Sequence, residues 1–74
     1  MEYRSRLSSD PNVLLGKPVI RGTRITVALV LDKLSEGETF EELLESYPDL
    51  TREDILACLA YSHDVVSREA LIAD

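Results

Sequence analysis

The spacing of apolar residues changes character near residue 25. From Thr26 onward it is helical: Val27, Val30, Leu31 and Leu34 fall at i, i+3, i+4 and i+7, the period of one buried stripe. Thr26 is placed to cap this segment and Gly37 to stop it, which predicts a helix of about ten residues. Thr39 to Glu42 reads as an S/T-x-x-E capping box, and Phe40, Leu43, Leu44 and Tyr47 repeat the stripe until Pro48 ends it. Thr51 then caps a third helix whose first turn, Arg52-Glu53-Asp54, carries acids that complement the helix dipole. Ile55, Leu56, Leu59 and Ala60 are predicted to face inward, leaving Arg52, Glu53, Ala57 and Tyr61 outward. Past Tyr61-Ser62-His63 the pattern allows the helix to continue, or to break before a second cap at Ser67 ahead of Ala70, Leu71 and Ile72.

Before Thr26 no helical period holds. Asp10-Pro11 and Gly16-Lys17-Pro18 are turn and break signals, because proline fixes its own φ and biases the preceding residue away from the α region. Val19 to Ile25 sets β-branched residues on both sides of Gly22, which suits a short strand, a tight turn and a second extended piece. Pairing of this strand with Tyr3 to Leu7 is expected. The organisation is therefore one domain in three stretches: an extended or β-turn arm over 1–25, a trihelical core over 26–63 and a tail or short helix over 64–74. A mainly α, three-helix bundle with a short N-terminal β element follows. Its second and third helices are joined by Pro48-Asp49-Leu50, as in a helix-turn-helix.

At 74 residues there is room for one small core, so self-association into a homodimer or larger assembly is expected. Val65, Val66, Leu71 and Ile72 are spare apolar residues beyond the core helices that such an assembly would cover. A content of 45% hydrophobic and 30% charged residues is that of a globular domain. No apolar run reaches the length of a membrane span and the first ten residues lack a signal-peptide core, so a cytoplasmic location is expected and no membrane partner. The single cysteine, Cys58, provides no disulfide framework and reads as a small buried residue. The net charge of −6 argues against a protein that simply coats nucleic acid, but it conceals an asymmetry. Residues 1–33 hold six cations against three acids, and residues 34–74 hold two against eleven, so the halves carry +3 and −9.

The densest candidate chemistry lies in Gly16-Lys17-Pro18-Val19-Ile20-Arg21-Gly22-Thr23-Arg24. Glycines beside Lys and Arg can offer backbone N–H groups and forked guanidinium donors to a phosphate. Equally, Gly22 can supply a left-handed turn while Arg24 is held by a carbonyl or carboxylate of the fold, with Arg21 and Arg24 dividing a structural and an exposed role. The segment is no nucleotide P-loop, since Pro18 follows Lys17 and Thr23 follows the second glycine. An enzyme is not expected. Cys58 and His63 at i, i+5 on one helix diverge by about 140°, too far for a nucleophile and its base, and one His with one Cys cannot form the usual metal sets. No catalytic residue, metal or cofactor is assigned. As a DNA reader the third helix is poor, because only Arg52 suits a base edge or phosphate while Glu53 and Asp54 repel the backbone. Any DNA contact is therefore expected to use Arg4, Arg6, Lys17, Arg21, Arg24 and Arg52, the N-terminal cations acting as an arm or ribbon beside the helix. Glu36, Glu38, Glu41, Glu42 and Glu45 read as a solvated acidic face or a patch for a basic partner.

Asp10-Pro11, Gly16, Pro18, Ile20, Gly22-Thr23-Arg24-Ile25, Gly37, Thr39, Glu42-Leu43, Tyr47-Pro48, Leu50-Thr51, Asp54-Ile55 and Leu59 together resemble domain-of-unknown-function family 433 over about residues 7–61. G-K-P-V-I-R-G-T-R-I followed by Y-P-x-L-T-x-x-D-I is a specific combination. Cys58 stands where alanine is expected, and residues from Ser62 onward lie outside the pattern. The resemblance implies a homeodomain-like trihelical fold preceded by a small β element. It also implies the antitoxin role of a VapBC-type toxin–antitoxin pair, encoded beside a PIN-like nuclease, and brings no catalytic residues; operator DNA is a further partner expected from the helix-turn-helix and the basic N-terminal third. Against a nuclease with a basic rim around its active site, the expected contact residues are Glu38, Glu41 and Glu45 with Leu71 and Ile72 as apolar anchors. The alternative is a protein-interaction module without a DNA role.

Overall fold

A computed structural model describes residues 2–69 of the protein. Two short strands, β1 (Leu7–Ser8) and β2 (Val19–Ile20), precede three helices: α1 (Val27–Ser35), α2 (Phe40–Ser46) and α3 (Arg52–Ser67). The strands are antiparallel, with Leu7 opposite Ile20 and Ser8 opposite Val19. Between them a loop is closed by a bridge from Asp10 to Val13 and a single 3-10 turn over Leu14–Gly16. The pairing thus falls at the C-terminal edge of the expected Tyr3 to Leu7 stretch. The extended piece after Gly22 also forms, since the Ile20 amide donates to the Ile25 carbonyl and Val19 bridges to Thr26.

The helix starts follow their caps. The Thr26 hydroxyl accepts from the Leu29 amide, and Gly37 sits at φ +95° just past the α1 C-cap, where a side chain would be strained. Thr39 with Glu42 and Thr51 with Asp54 each form a reciprocal capping box, satisfying two orphan backbone donors at both helix starts. α2 ends as expected at Tyr47, before Pro48. α3 continues through Tyr61-Ser62-His63 to Ser67 as one helix of 16 residues.

The core is shared by all elements. Leu7 and Ile20 from the strands meet Val27 and Val30 of α1, Leu43 of α2, Leu50 of the connection, and Ile55, Ala57 and Cys58 of α3. The inward face of α3 differs from the expected one. Ala57 is fully buried, whereas Leu56 and Leu59 are 37% and 39% exposed. The inward residues are Asp54, Ile55, Ala57 and Cys58, and the buried Asp54 carboxylate accepts from the Thr51 amide and pairs with Arg6. Among the described residues no helix is long and apolar enough to cross a membrane.

Candidate functional site

The six cations expected at a nucleic-acid surface divide into two groups. Arg6 pairs with Asp54 at 3.2 Å, tying the arm to the start of α3. Arg21 lies exposed on the turn after β2, yet its Nε donates to the Ser5 carbonyl and its Nη2 to the carbonyls of Arg4 and Leu7, at 3.1, 3.1 and 2.8 Å. The Arg21 amide also donates to the Arg6 carbonyl. One guanidinium therefore organises the whole 4–7 segment. The structural half of the arginine pair is Arg21, and Arg24 is the exposed half. The intervening Gly22 is at φ +81° with open space around it, so the turn needs glycine for its backbone conformation rather than for clearance. Arg52 lies 4.9 Å from the centroid of the Phe40 ring, bridging α3 to α2. Arg24 and Lys17 make no ion pair among the described residues. With Arg4, which stands 5.5 Å from the Tyr3 ring centroid, they are the cations left to meet an anion.

The acidic set is also regrouped. Glu38, Glu42, Glu45 and Ser46 line an open groove of about 450 Å³ along α2. Glu41 is exposed but outside that lining. Two of these carboxylates have internal partners: Glu38 is 3.9 Å from the Lys33 ammonium, and Glu42 accepts from the Thr39 amide in the capping box. Glu45, like Glu41, is exposed and has neither an ion pair nor a side-chain hydrogen bond among the described residues. Leu71 and Ile72 lie outside the described residues; Val65 and Val66 are on α3, 37% and 64% exposed.

A second concavity, of about 250 Å³, opens between the arm and α3 and is lined by Tyr3, Arg4, Leu7, Ser8, Ser9, Gly16, Pro18 and Tyr61. Tyr3 and Tyr61 meet edge to face with centroids 5.6 Å apart, and the Tyr3 hydroxyl donates to Asp64 at 2.8 Å. That bond raises the Tyr3 pKa above the ordinary phenol range, with burial adding to it, and holds the Asp64 carboxyl below the ordinary carboxylate range. Tyr61, expected to face outward, is instead half-buried against Tyr3, and the Tyr3 to Asp64 bond depends on α3 continuing past His63.

Cys58 is fully buried and its thiol is pushed up to about 12, first by burial and then by the nearby Asp54 charge. Such a thiol is a packing group and not a nucleophile. Among the described residues no three His, Cys, Asp or Glu side chains converge as metal ligands.

The chain is 37% identical over 59 residues to the uncharacterized protein y4eO of Sinorhizobium fredii (strain NBRC 101917 / NGR234). That match takes in 80% of this chain and 27% of the relative, so the chain spans about a quarter of that protein. The crystal structure of a DUF433 member protein from Anabaena variabilis ATCC 29413 superposes with a TM-score of 0.80 at 32% identity, covering 88% of this chain and 64% of that one. The family model described as "Protein of unknown function (DUF433)" matches residues 7–62, a span that begins with β1 and takes in the paired strands, the Arg21 turn and all three helix starts, and the chain belongs to that family.

Proposed function

We propose that the protein is the antitoxin component of a type II toxin–antitoxin pair, a non-enzymatic module that binds and neutralises a PIN-like nuclease and also binds operator DNA. The observation that supports the first half is the acidic groove along α2, where Glu38, Glu42 and Glu45 gather on one side of a helix-turn-helix unit. A nuclease that binds RNA phosphates needs a basic rim, and an acidic groove is complementary to it in sign. Family resemblance supplies the antitoxin role, and the charge asymmetry gives each partner its own surface. The acids of α2 take the nuclease, while Arg4, Lys17 and Arg24 take phosphates.

The test is purification with the PIN-like nuclease encoded by the neighbouring gene, followed by association kinetics and an RNA-cleavage assay. Lysine substitution of Glu38, Glu41 and Glu45 together is expected to slow association by tenfold or more at low salt, with the difference shrinking as salt rises. Wild-type rates and neutralisation from a folded triple variant would take Glu38, Glu41 and Glu45 out of the interface. Failure of the wild-type chain to bind or inhibit the nuclease would remove the antitoxin reading itself, and favour an interaction module with another partner.

A further inference from the structure

Helix α3 buries Asp54, Ile55, Ala57 and Cys58 and turns a second apolar stripe outward. Leu56, Leu59 and Val66 are exposed, and with His63, whose side chain is 79% exposed, they recur at steps of three, four and three residues. At about 100° per residue the four positions fall within roughly 80° of arc on the side turned away from the bundle, along about 15 Å of helix. Single exposed apolar side chains are ordinary on a protein surface, but this spacing is that of the positions along which two helices pack side by side. The charges at the ends of α3 identify the second helix. Arg52 and Glu53 open α3, and Arg68 and Glu69 follow its last turn. All four are exposed, and none has an ion pair among the described residues. Because cation precedes acid at both ends, a reversed copy opposes unlike charges: Arg52 meets the partner's Glu69, and Glu53 meets the partner's Arg68. Within one residue of that register, the same reversal sets Leu56 against the partner's Val66 and Leu59 against the partner's His63. A parallel copy would instead place like charges together at every end position.

We propose that α3 pairs antiparallel with α3 of a second copy of this chain across a two-fold axis at mid-helix, with Leu56, Leu59, His63 and Val66 as the seam and the end charges fixing the direction. A two-fold contact requires one patch to be complementary to itself, and the apolar spacing and the charge order of α3 meet that condition in the same register. The cations offered to phosphates, Arg4, Lys17 and Arg24, play no part in it. Arg52 lies over the Phe40 ring, and a guanidinium above a ring keeps its in-plane N–H groups for other acceptors. The pairing does not rest on the antitoxin reading and stands or falls apart from it.

The test is sedimentation equilibrium on the full chain, from micromolar to several hundred micromolar, with far-UV circular dichroism and thermal unfolding as folding controls. Wild type is expected to dimerise, more tightly at low salt than at high. Leu59→Asn should weaken the dimer about tenfold or more, the effect of losing a central anchor. Should that variant unfold, Val66→Glu decides, because it alters the most exposed apolar position of the seam and is expected to weaken the dimer as much. Direction is read from the charges. Glu53→Arg alone and Arg68→Glu alone should each weaken the dimer about fivefold to tenfold at low salt, since each sets two like-charge contacts across the axis. The double variant should return to within about threefold of wild type. Within one chain the two sites are separated by the length of α3, so the recovery must come from contacts between copies. A wild type that stays monomeric, folded seam variants that dimerise as wild type does, or a double reversal no tighter than the single ones overturns the proposal.

Discussion

At the scale of single residues, the turn after β2 shows how a surface arginine becomes a structural part. Three carbonyls of the 4–7 segment accept from the Arg21 side chain. Charge-assisted bonds of this kind contribute more than neutral ones, though partial exposure reduces them. Arg21→Ala is expected to cost about 2 kcal/mol, lowering Tm by on the order of 10 °C in a domain of this size. Arg21→Lys should recover less than half, since an ammonium cannot span three acceptors set for a planar fork. Arg24→Ala, on the far side of Gly22, should leave Tm within a degree or two. Equal behaviour of the two alanine variants would deny Arg21 its structural role. Cys58 offers a second residue-scale expectation. With its thiol buried and its pKa near 12, alkylation by iodoacetamide at pH 8 should be slow in the folded protein and fast in urea. Modification of the native protein at the rate of a free thiol would contradict the packing.

At the scale of elements, the helices were legible because their signals are local. Each start carries a threonine cap, and the two capping boxes lie within four consecutive residues, so no long-range knowledge is needed. The face of α3 was not legible, because the hydrophobic pattern offers two stripes. The face that is buried carries Asp54, whose partner Arg6 lies 48 positions earlier in the chain, beyond the reach of a local pattern. The left-handed backbone of Leu14 and Leu15, at φ 51° and 59°, was equally hidden, since leucine carries no signal for it. The register of β1 was partly legible: the partner strand could be read, but its pairing with Leu7 and Ser8 is set by where Arg21 reaches. The same arm meets the last turns of α3 through the Tyr3 to Asp64 bond, and its titration has a definite sign. Asp64 binds its proton less readily in the folded state, so its contribution is present above about pH 4 and is lost as pH falls through the lowered folded value. Tyr3 keeps its proton more firmly when folded, so its contribution is present below about pH 10 and is lost as pH rises through the raised folded value. Chemical denaturation across pH should show both limbs in wild type, and Tyr3→Phe should flatten them. Limbs that persist in Tyr3→Phe would assign the dependence to other groups.

At the scale of the whole molecule, a chain of net charge −6 gains affinity for DNA only where its cations lie together and free of internal partners. Arg6 and Arg21 are engaged within the fold and Arg52 is stacked on Phe40, which concentrates the expected phosphate contacts on Arg4, Lys17 and Arg24. Arg4 borders the cleft, so the clean pair for substitution is Lys17 and Arg24. Each phosphate contact contributes about 0.9 to the slope of log K against log salt, so Lys17→Ala with Arg24→Ala should flatten that slope by nearly 2. The loss should be similar on specific and unrelated duplexes, because phosphate contacts position a protein without reading sequence. Glu53→Gln gives the opposite sign: removing an exposed carboxylate from the first turn of α3 should tighten binding to any duplex that approaches that helix. The two results separate the modes of docking. A slope change from Lys17 and Arg24 with no effect of Glu53→Gln assigns DNA to the N-terminal arm alone. Tighter binding from Glu53→Gln brings α3 to the duplex as well. A slope indifferent to all three substitutions would take Lys17, Arg24 and the first turn of α3 out of any DNA contact.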